Sequence, residues 1–257
     1  HPRNRGAGFD LLEAAGIEVI RDGDQAGAKA LNPGHEKNHS EGRPYVRLKL
    51  AATMDGFTGL PNGQSQWITS PAARLEVQRM RAQSSAIVTG ANTVLSDDPE
   101  LTVRDPRIDP KHSHLILARP KPVYVLDSQS RTMATAKVYG NPLARQVCGL
   151  ETLNAHSAAL KTKLNPDGQI DLPRFFEALA ARGVLEVLVE CGPTLAGAVM
   201  QANLVDELVL FLAPKFMGVG KPLLQLPELD KMSDLRAWSL FDTRRIGPDI
   251  KLVLKPD

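Results

Sequence analysis

Short apolar runs alternate with segments of helical spacing along most of the chain. The runs predict strands at residues 45–52, 86–90, 122–127, 184–189 and 207–212, and helices are predicted at 71–83, 172–182 and 194–201. Ser70 is suited to cap the first of these helices, with Pro71 at its first position, and Gly183 closes the second. Strands that alternate with helices predict an α/β fold with a mostly parallel central sheet flanked by helices.

Both ends of the chain depart from this pattern. Near the N-terminus we predict a helix at residues 9–15 that ends at Gly16, a short strand at 17–20, a helix at 25–31, and a polar linker at 34–43. Residues 1–42 are too few to form a core of their own, so the main domain is expected at 43–257. Residues 143–165 predict a strand and a short helix, and residues 238–244 and 250–254 predict a closing antiparallel pair.

Composition and charge narrow the class of protein. The chain has 257 residues, a hydrophobic share of 42% and a net charge of +2 with acids and bases interspersed, which gives no reason to expect nucleic acid or a lipid surface as a partner. No apolar run approaches the ~18 residues that span a membrane, and no secretory signal is visible. Cys148 and Cys191 form neither a disulfide framework nor a zinc motif. A cytoplasmic protein is therefore predicted.

The first candidate site is the segment ECGPTLAG at residues 190–197, which follows the predicted strand at 184–189. Gly192 permits close approach to the backbone, Pro193 favours a helical start, and the N-terminus of the next helix favours a phosphate. A simple strand-to-helix turn is the alternative. Glu190 favours the first interpretation, because a carboxylate at the end of an apolar strand is costly to bury without a partner.

The long polar segment at residues 90–104 is a second candidate, since such loops are often functional. Asp97 and Asp98 are candidates for general acid–base chemistry or metal binding, with a solvated turn before Pro99 as the alternative. Arg104 is a candidate phosphate ligand or an ordinary surface residue.

Further candidates follow or precede other strands. A basic residue such as Arg131, next to Ser128, suits the 2′-phosphate of NADP. Trp67 either stacks on a flat ring or fills the core. Lys49 lies among apolar neighbours in a strand, where a lysine needs an anionic partner or an opening to a pocket.

Two familiar sites are excluded by their motifs. The chain has no G-x-G-x-x-G with an acidic residue at the usual distance, so it has no standard Rossmann site. It also has no H-x-E with P-C-x-x-C, so it has no zinc deaminase centre.

Five motifs in a fixed order resemble the reductase domain of the bifunctional riboflavin biosynthesis deaminase–reductase. They are VRLKLAATMDG (46–56), GQSQWITSP (63–71), RMRAQSSAIVTGANTVLSDDPELTVR (79–104), VECGPTLAG (189–197) and APKFMGVGKPL (213–223). The resemblance runs from residue 42 to the C-terminus. Residues 1–35, with HPRNRGAGFDLLEAAGIEV and ALN, are similar to the end of that family's deaminase domain, although His35 stands where the family usually has an aromatic residue.

The resemblance implies a dihydrofolate-reductase-like fold, with residues 1–42 as a deaminase-domain remnant plus linker. It implies NADPH-dependent reduction of 5-amino-6-(5-phosphoribosylamino)uracil to 5-amino-6-(5-phosphoribitylamino)uracil, in which the sugar opens to an imine or aldehyde and a hydride reaches its C1′. Zinc is expected only in the deaminase part, which this chain lacks. The implied partners are the small phosphosugar-pyrimidine and further copies of the chain, as a dimer or larger.

Site residues follow from the resemblance by matching its motifs position by position. The positions that match the family's NADP contacts are Ala51, Trp67, Thr93, Asp97, Ser128, Gly192, Pro193, Thr194, Leu195, Ala196, Gly197 and Ala198. Those that match substrate contacts are Ser65, Arg81, Leu101, Arg104 and Glu190. Arg81 and Arg104 suit the substrate phosphate, since a guanidinium binds a phosphate in bidentate fashion, and Glu190 suits hydroxyl or amino groups. Three candidates remain for the catalytic proton donor: Lys49, Glu190 and a water held by Asp97.

Other functions stay open at this point. They are a reductase of the same fold that acts on a folate or on the pyrimidine before deamination, a silent nucleotide-binding module, and a structural or interaction protein. A folate enzyme needs a pterin-pairing acid on the first helix, and Glu76 is the only acid on the helix at 71–83. Lys49, Asp97 and Glu190 together argue against a silent module.

Overall fold

The computed structural model describes residues 6–21 and 23–257. Its helices are α1 (Ala7–Ala14), α2 (Gln25–Leu31), α3 (Pro33–Glu41), α4 (Pro71–Gln83), α5 (Ala91–Asp97), α6 (Ser113–Leu117), α7 (Leu172–Ala181) and α8 (Pro193–Gln201). Its strands are β1 (Tyr45–Thr53), β2 (Phe57–Gly59), β3 (Ala86–Gly90), β4 (Val123–Leu126), β5 (Ala144–Gly149), β6 (Leu160–Thr162), β7 (Glu186–Glu190), β8 (Glu207–Ala213), β9 (Lys221–Pro222), β10 (Trp238–Ile246) and β11 (Asp249–Pro256).

A mostly parallel sheet organises the molecule. Its strand order is β10-β11-β8-β1-β7-β3-β4-β5-β6. From β8 to β6 the neighbouring strands are parallel, and β11 and β10 add an antiparallel pair at one edge. The predicted α/β fold and its closing pair are confirmed. Because parallel strands share a direction, the carboxyl ends of β1, β7, β3 and β4 meet at one edge of the sheet.

Different helices cover the two faces of the sheet, and their apolar side chains pack against it. On one face Phe176 and Leu179 of α7 and Val199 of α8 pack on residues such as Val187. On the other face Val77 and Met80 of α4 pack on Leu188, Val209 and Phe211. Successive residues of β7 therefore face opposite cores, which explains why its sequence is almost wholly apolar.

Four local predictions were wrong. Residues 17–20 form no strand, because no strand of the described chain pairs with them, and Ile20 is exposed. The linker predicted at 34–43 is mostly the helix α3, which begins at Pro33 and is supported by the pair Lys37–Glu41 at 2.6 Å. The segment at 90–104 begins with α5 rather than a loop. Residues 143–165 hold a second strand, β6, in place of the predicted helix.

Candidate active site

A large cleft lies at the carboxyl ends of β1, β7, β3 and β4. Its volume is about 2250 Å³, whereas pockets for one small ligand hold roughly 300–1000 Å³, so it has room for two ligands side by side. Most of the sequence-predicted residues line it: Lys49, Ala51, Ser65, Trp67, Arg81, Thr93, Asp97, Leu101, Arg104, Ser128, Glu190, Gly192, Pro193, Thr194, Leu195 and Ala198. Ala196 and Gly197 lie beneath it as buried residues of α8.

Lys49 and Glu190 are neighbours in register across β1 and β7. Both project toward α4, because Leu188, two residues before Glu190, packs in the α4 core. Arg81 of α4 donates to both oxygens of Glu190, with Nε–Oε1 at 2.6 Å and Nη2–Oε2 at 2.9 Å. Its Nη1 donates to the carbonyl of Thr102 at 3.0 Å. The Glu190 carboxylate, whose partner could not be identified from the sequence, is therefore held by a buried bidentate ion pair.

The charges of Lys49, Arg81 and Glu190 shift one another's pKa values. Burial lowers the pKa of Lys49; the negative charge of Glu190 opposes this shift and the positive charge of Arg81 adds to it. Burial favours a higher pKa for Glu190, but the charge and hydrogen bonds of Arg81 outweigh it, so the pKa of Glu190 is lowered. Glu190 is thus an anion at neutral pH. Within the described chain, the Lys49 ammonium makes no hydrogen bond or ion pair.

The first turn of α8 presents backbone N–H groups to the cleft. Gly192 donates its N–H to the Thr93 hydroxyl at 3.1 Å, which ties this turn to α5. Pro193 has no N–H, and the amides of Thr194 and Leu195 have no partner within the helix. Two free amides at a helix N-terminus, next to a wide cleft, are suited to a phosphate oxygen.

The chain at Gln225, here called the strap, crosses closely over α8 and explains why residue 197 is a glycine. Gln225 donates its N–H to the carbonyl of Pro193 at 3.1 Å and accepts from the Thr194 hydroxyl at 2.9 Å. A Cβ on Gly197 would overlap the backbone carbonyl of Gln225. The close approach of the two backbones therefore requires the glycine.

Trp67 stands at the mouth of the cleft with 60% of its surface exposed. The guanidinium of Arg74 lies 4.5 Å from the centre of its ring. The core-filling alternative for this tryptophan is therefore wrong, and its ring is free to meet a flat ligand on its exposed side.

Asp97 and Asp98 have different surroundings. Asp97 accepts a hydrogen bond from the Ser65 hydroxyl at 2.8 Å, which joins the two walls of the cleft. Asp98 ends α5 in the left-handed region and accepts from the Lys137 N–H at 2.9 Å. Among the described residues no group of His, Cys, Asp or Glu side chains is arranged to hold a metal ion. Asp98 therefore connects the end of α5 to Lys137 at the border of the cleft.

The predicted substrate residues differ in what they offer to the cleft. Arg104 is 52% exposed, and its only carboxylate contact in the described chain is with the equally exposed Glu100 at 3.4 Å. Arg81 also lines the cleft, and its guanidinium is bonded within the protein to Glu190 and to the Thr102 carbonyl. The side chain of Leu101 is buried in a core cluster with Ile87, which leaves its backbone to face the cleft.

Ser128 and Arg131 lie together beyond β4. Buried Asp127 accepts the N–H of Arg131 at 3.0 Å and so shapes this turn. The Arg131 guanidinium donates to the side chain of Asn92 at 3.0 Å and lines the cleft. The basic residue expected here therefore reaches the cleft from its outer wall.

The sequence motifs identify Arg81 on α4 but not Arg74 and Gln78, which share its polar face. Arg74, Gln78 and Arg81 all line the cleft, and their spacing of four and three residues places them on one face of the helix. That spacing is the signal that could have identified Arg74, and Gln78, whose side chain accepts the Arg104 N–H at 2.9 Å.

In the described chain no helix is long and apolar enough to cross a bilayer.

Comparison with known proteins agrees with this architecture. The family model described as the RibD C-terminal domain matches residues 44–252. Riboflavin biosynthesis protein RibD of Escherichia coli (strain K12) is 39% identical over 265 residues, which cover 99% of this chain and 71% of that protein. The counterpart from Haemophilus influenzae is 35% identical over 263 residues, covering 100% of this chain and 70% of the relative.

Solved structures agree as well. A structure of Acinetobacter baumannii RibD superposes with a TM-score of 0.85 at 33% identity, covering 98% of this chain and 69% of that one. The yeast riboflavin biosynthesis reductase Rib7 shares the fold, with a TM-score of 0.66 at 16% identity. The match covers 88% of this chain and 95% of the Rib7 chain. The chain therefore belongs to the RibD C-terminal domain family.

Proposed function

We propose that this chain reduces 5-amino-6-(5-phosphoribosylamino)uracil to 5-amino-6-(5-phosphoribitylamino)uracil with NADPH, as the reductase of riboflavin biosynthesis. The observation that carries the proposal is the Lys49 ammonium, which makes no hydrogen bond or ion pair in the described chain and lines a two-ligand cleft beside the Arg81–Glu190 pair. Membership of the RibD C-terminal domain family supports the pathway and the reaction class.

The cleft fits a dinucleotide along the ends of β1, β7, β3 and β4. The free amides of Thr194 and Leu195 suit its pyrophosphate, and the exposed ring of Trp67 suits a flat ring. Ser128 and Arg131 line the cleft beyond β4 and suit the adenosine end, where a guanidinium favours the additional phosphate of NADPH. When bound, NADPH supplies the hydride for C1′ of the sugar.

The remaining part of the cleft is assigned to the substrate. Arg104, the more exposed of the two guanidinium groups, suits the substrate phosphate, while Arg81 holds Glu190 in place. Ionised Glu190 accepts hydrogen bonds from hydroxyl or amino groups of the substrate. Ser65, held by Asp97, adds a hydroxyl on the opposite wall.

Lys49 is the strongest of the three candidate proton donors. Glu190 has a lowered pKa and carries no proton to give at neutral pH. Burial lowers the pKa of Lys49, which makes its ammonium a better acid than an exposed lysine. Between these two side chains we therefore assign to Lys49 the proton that the substrate nitrogen takes up when the hydride reaches C1′ of the imine; a water held by Asp97 remains the other candidate.

The proposal includes a homo-oligomer, a dimer or larger, in the cytoplasm. The edge strand β10 supports this assembly, because Leu240 and Phe241 are exposed on it and an unpaired edge favours pairing with another copy. Light scattering of the purified chain measures the oligomeric state directly.

Substitution of the central charges tests the assignment. Lys49→Ala is expected to lower kcat by at least ~10²-fold, the usual contribution of general acid–base catalysis. Glu190→Gln is also expected to lower kcat, because it removes the carboxylate proposed to bind the substrate together with its ion pair to Arg81. Lys231→Ala is the matched control, since Lys231 is exposed and does not line the cleft. If both cleft variants keep the kcat of the parent chain, the assignment of Lys49 and Glu190 is wrong.

A further inference from the structure

Three successive backbone carbonyls before α4 are held by two cationic side chains. The Lys215 Nζ donates to the carbonyl of Trp67 at 3.1 Å and to that of Ile68 at 2.6 Å. The Arg74 Nη1 donates to the carbonyl of Thr69 at 2.7 Å, and its guanidinium also lies on the Trp67 ring. Because the donors are charged, these hydrogen bonds are stronger than neutral ones.

The segment that carries Lys215 is itself anchored to the end of β1. The carbonyl of Lys215 accepts the N–H of Met54 at 2.9 Å. The carboxylate of Asp55 accepts the N–H groups of Met217 at 2.9 Å and Gly218 at 2.7 Å. Lys215 therefore reaches the Trp67 backbone from a fixed base on the central sheet.

Little apolar packing holds the Trp67 segment otherwise. On one side it borders the main cleft, and on the other it borders a surface depression of about 320 Å³ lined in part by Leu60 and Phe216. The Trp67 ring is mostly exposed. A segment with so little buried area depends on its polar contacts for a defined position.

We propose that Lys215 is a positioning residue that holds the backbone of residues 67–68 so that the Trp67 ring stands ready at the cleft mouth to contact the dinucleotide. Lys215 acts only through Trp67 and touches no reacting group. The part of the inference that concerns the dinucleotide rests on the proposed function. The part that concerns the position of Trp67 does not.

Lys215→Met, which keeps the length of the side chain and removes the donor, tests the proposal. Lys215→Arg serves as the conservative rescue and Lys231→Ala as the matched control. All are made with Trp238→Phe, which leaves Trp67 as the sole tryptophan. The readouts are Trp67 fluorescence anisotropy and quenching by a neutral quencher, KM for NADPH, kcat at saturation, and Tm.

For Lys215→Met we expect lower anisotropy, stronger quenching and a KM for NADPH raised about tenfold at nearly unchanged kcat, since the loss of one aromatic stacking contact costs up to about tenfold in affinity. Lys215→Arg is expected to restore both signals. Unchanged Trp67 fluorescence and KM in Lys215→Met overturn the proposal, and so does a lower Tm and kcat with KM intact. If the parent chain binds no NADPH, the proposed function fails, while the fluorescence still decides whether Lys215 positions Trp67.

Discussion

At the scale of single residues, Lys49 determines how the proposed reaction responds to pH. The ordinary pKa of a lysine is 10.5, and burial lowers that of Lys49 below this value, with Glu190 opposing the shift and Arg81 adding to it. A proton donor is active while protonated, so its contribution is present below its pKa and is lost as pH rises through it.

We therefore expect kcat to fall on the alkaline side with an apparent pKa below 10.5. Lys49→Met is expected to lower kcat and to abolish this alkaline limb, because the titrating group is gone. A pH profile of kcat at saturating substrates measures both effects. An alkaline limb that persists unchanged in Lys49→Met would assign the titration to another group.

Gly197 makes a second prediction at this scale. In Gly197→Ala the new methyl group would overlap the Gln225 carbonyl, and such overpacking costs about 1–3 kcal/mol of folding free energy. Because Gln225 also holds Thr194, we expect a raised KM for NADPH together with a lower Tm. Gly140→Ala is the control, since a methyl group added there would meet no atom within 4 Å. Equal effects of the two substitutions would contradict this account of the strap.

At the scale of elements, the helix α3 connects the N-terminal segment to the reductase core. Its Lys37 forms an ion pair with Asp206 at 3.0 Å, and Asp206 also binds Arg43 in bidentate fashion. Gly34 lies so close to the Leu185 carbonyl that a Cβ there would be 2.6 Å from it. We infer that the reductase unit begins at α3, ahead of the boundary at residue 43 expected from the sequence.

Two shortened chains test that boundary. A chain that starts at residue 33 is expected to keep the Tm of the full chain. One that starts at residue 43 loses the contacts of α3, which we expect to lower stability by about 2 kcal/mol and Tm by roughly 4–8 °C. Thermal unfolding followed by circular dichroism provides the comparison. If both shortened chains have the same Tm, the reductase unit begins at residue 43, as the sequence predicts.

Elements with strong apolar patterns were predictable from the sequence, and α3 was not. Strands such as β7 and β8 are buried on both faces, so their composition alone identifies them. The helix α3 is polar and short, and its decisive partner, Asp206, lies far along the chain. Residues 17–20 show the reverse case, because an apolar pattern predicts a strand only where a neighbouring strand exists to pair with it.

At the scale of the whole molecule, the cleft collects residues from widely separated parts of the chain. The sequence motifs identified which residues line it, because the ends of parallel strands meet at one edge. They did not reveal that Arg81 pairs with Glu190, since 109 positions separate the two residues and only the packing of α4 brings them together. That pairing shows that Arg81 holds the Glu190 carboxylate in place, while its predicted contact with the substrate phosphate stays a prediction.

The central claim is that this cleft places NADPH and the phosphoribosylaminopyrimidine for direct hydride transfer. Mass spectrometry of the product formed with NADPH that carries deuterium at both nicotinamide C4 positions tests it most directly. The account predicts one deuterium on C1′ of 5-amino-6-(5-phosphoribitylamino)uracil. NADPH binding without any labelled product would contradict it, and so would a reduced product that carries no deuterium.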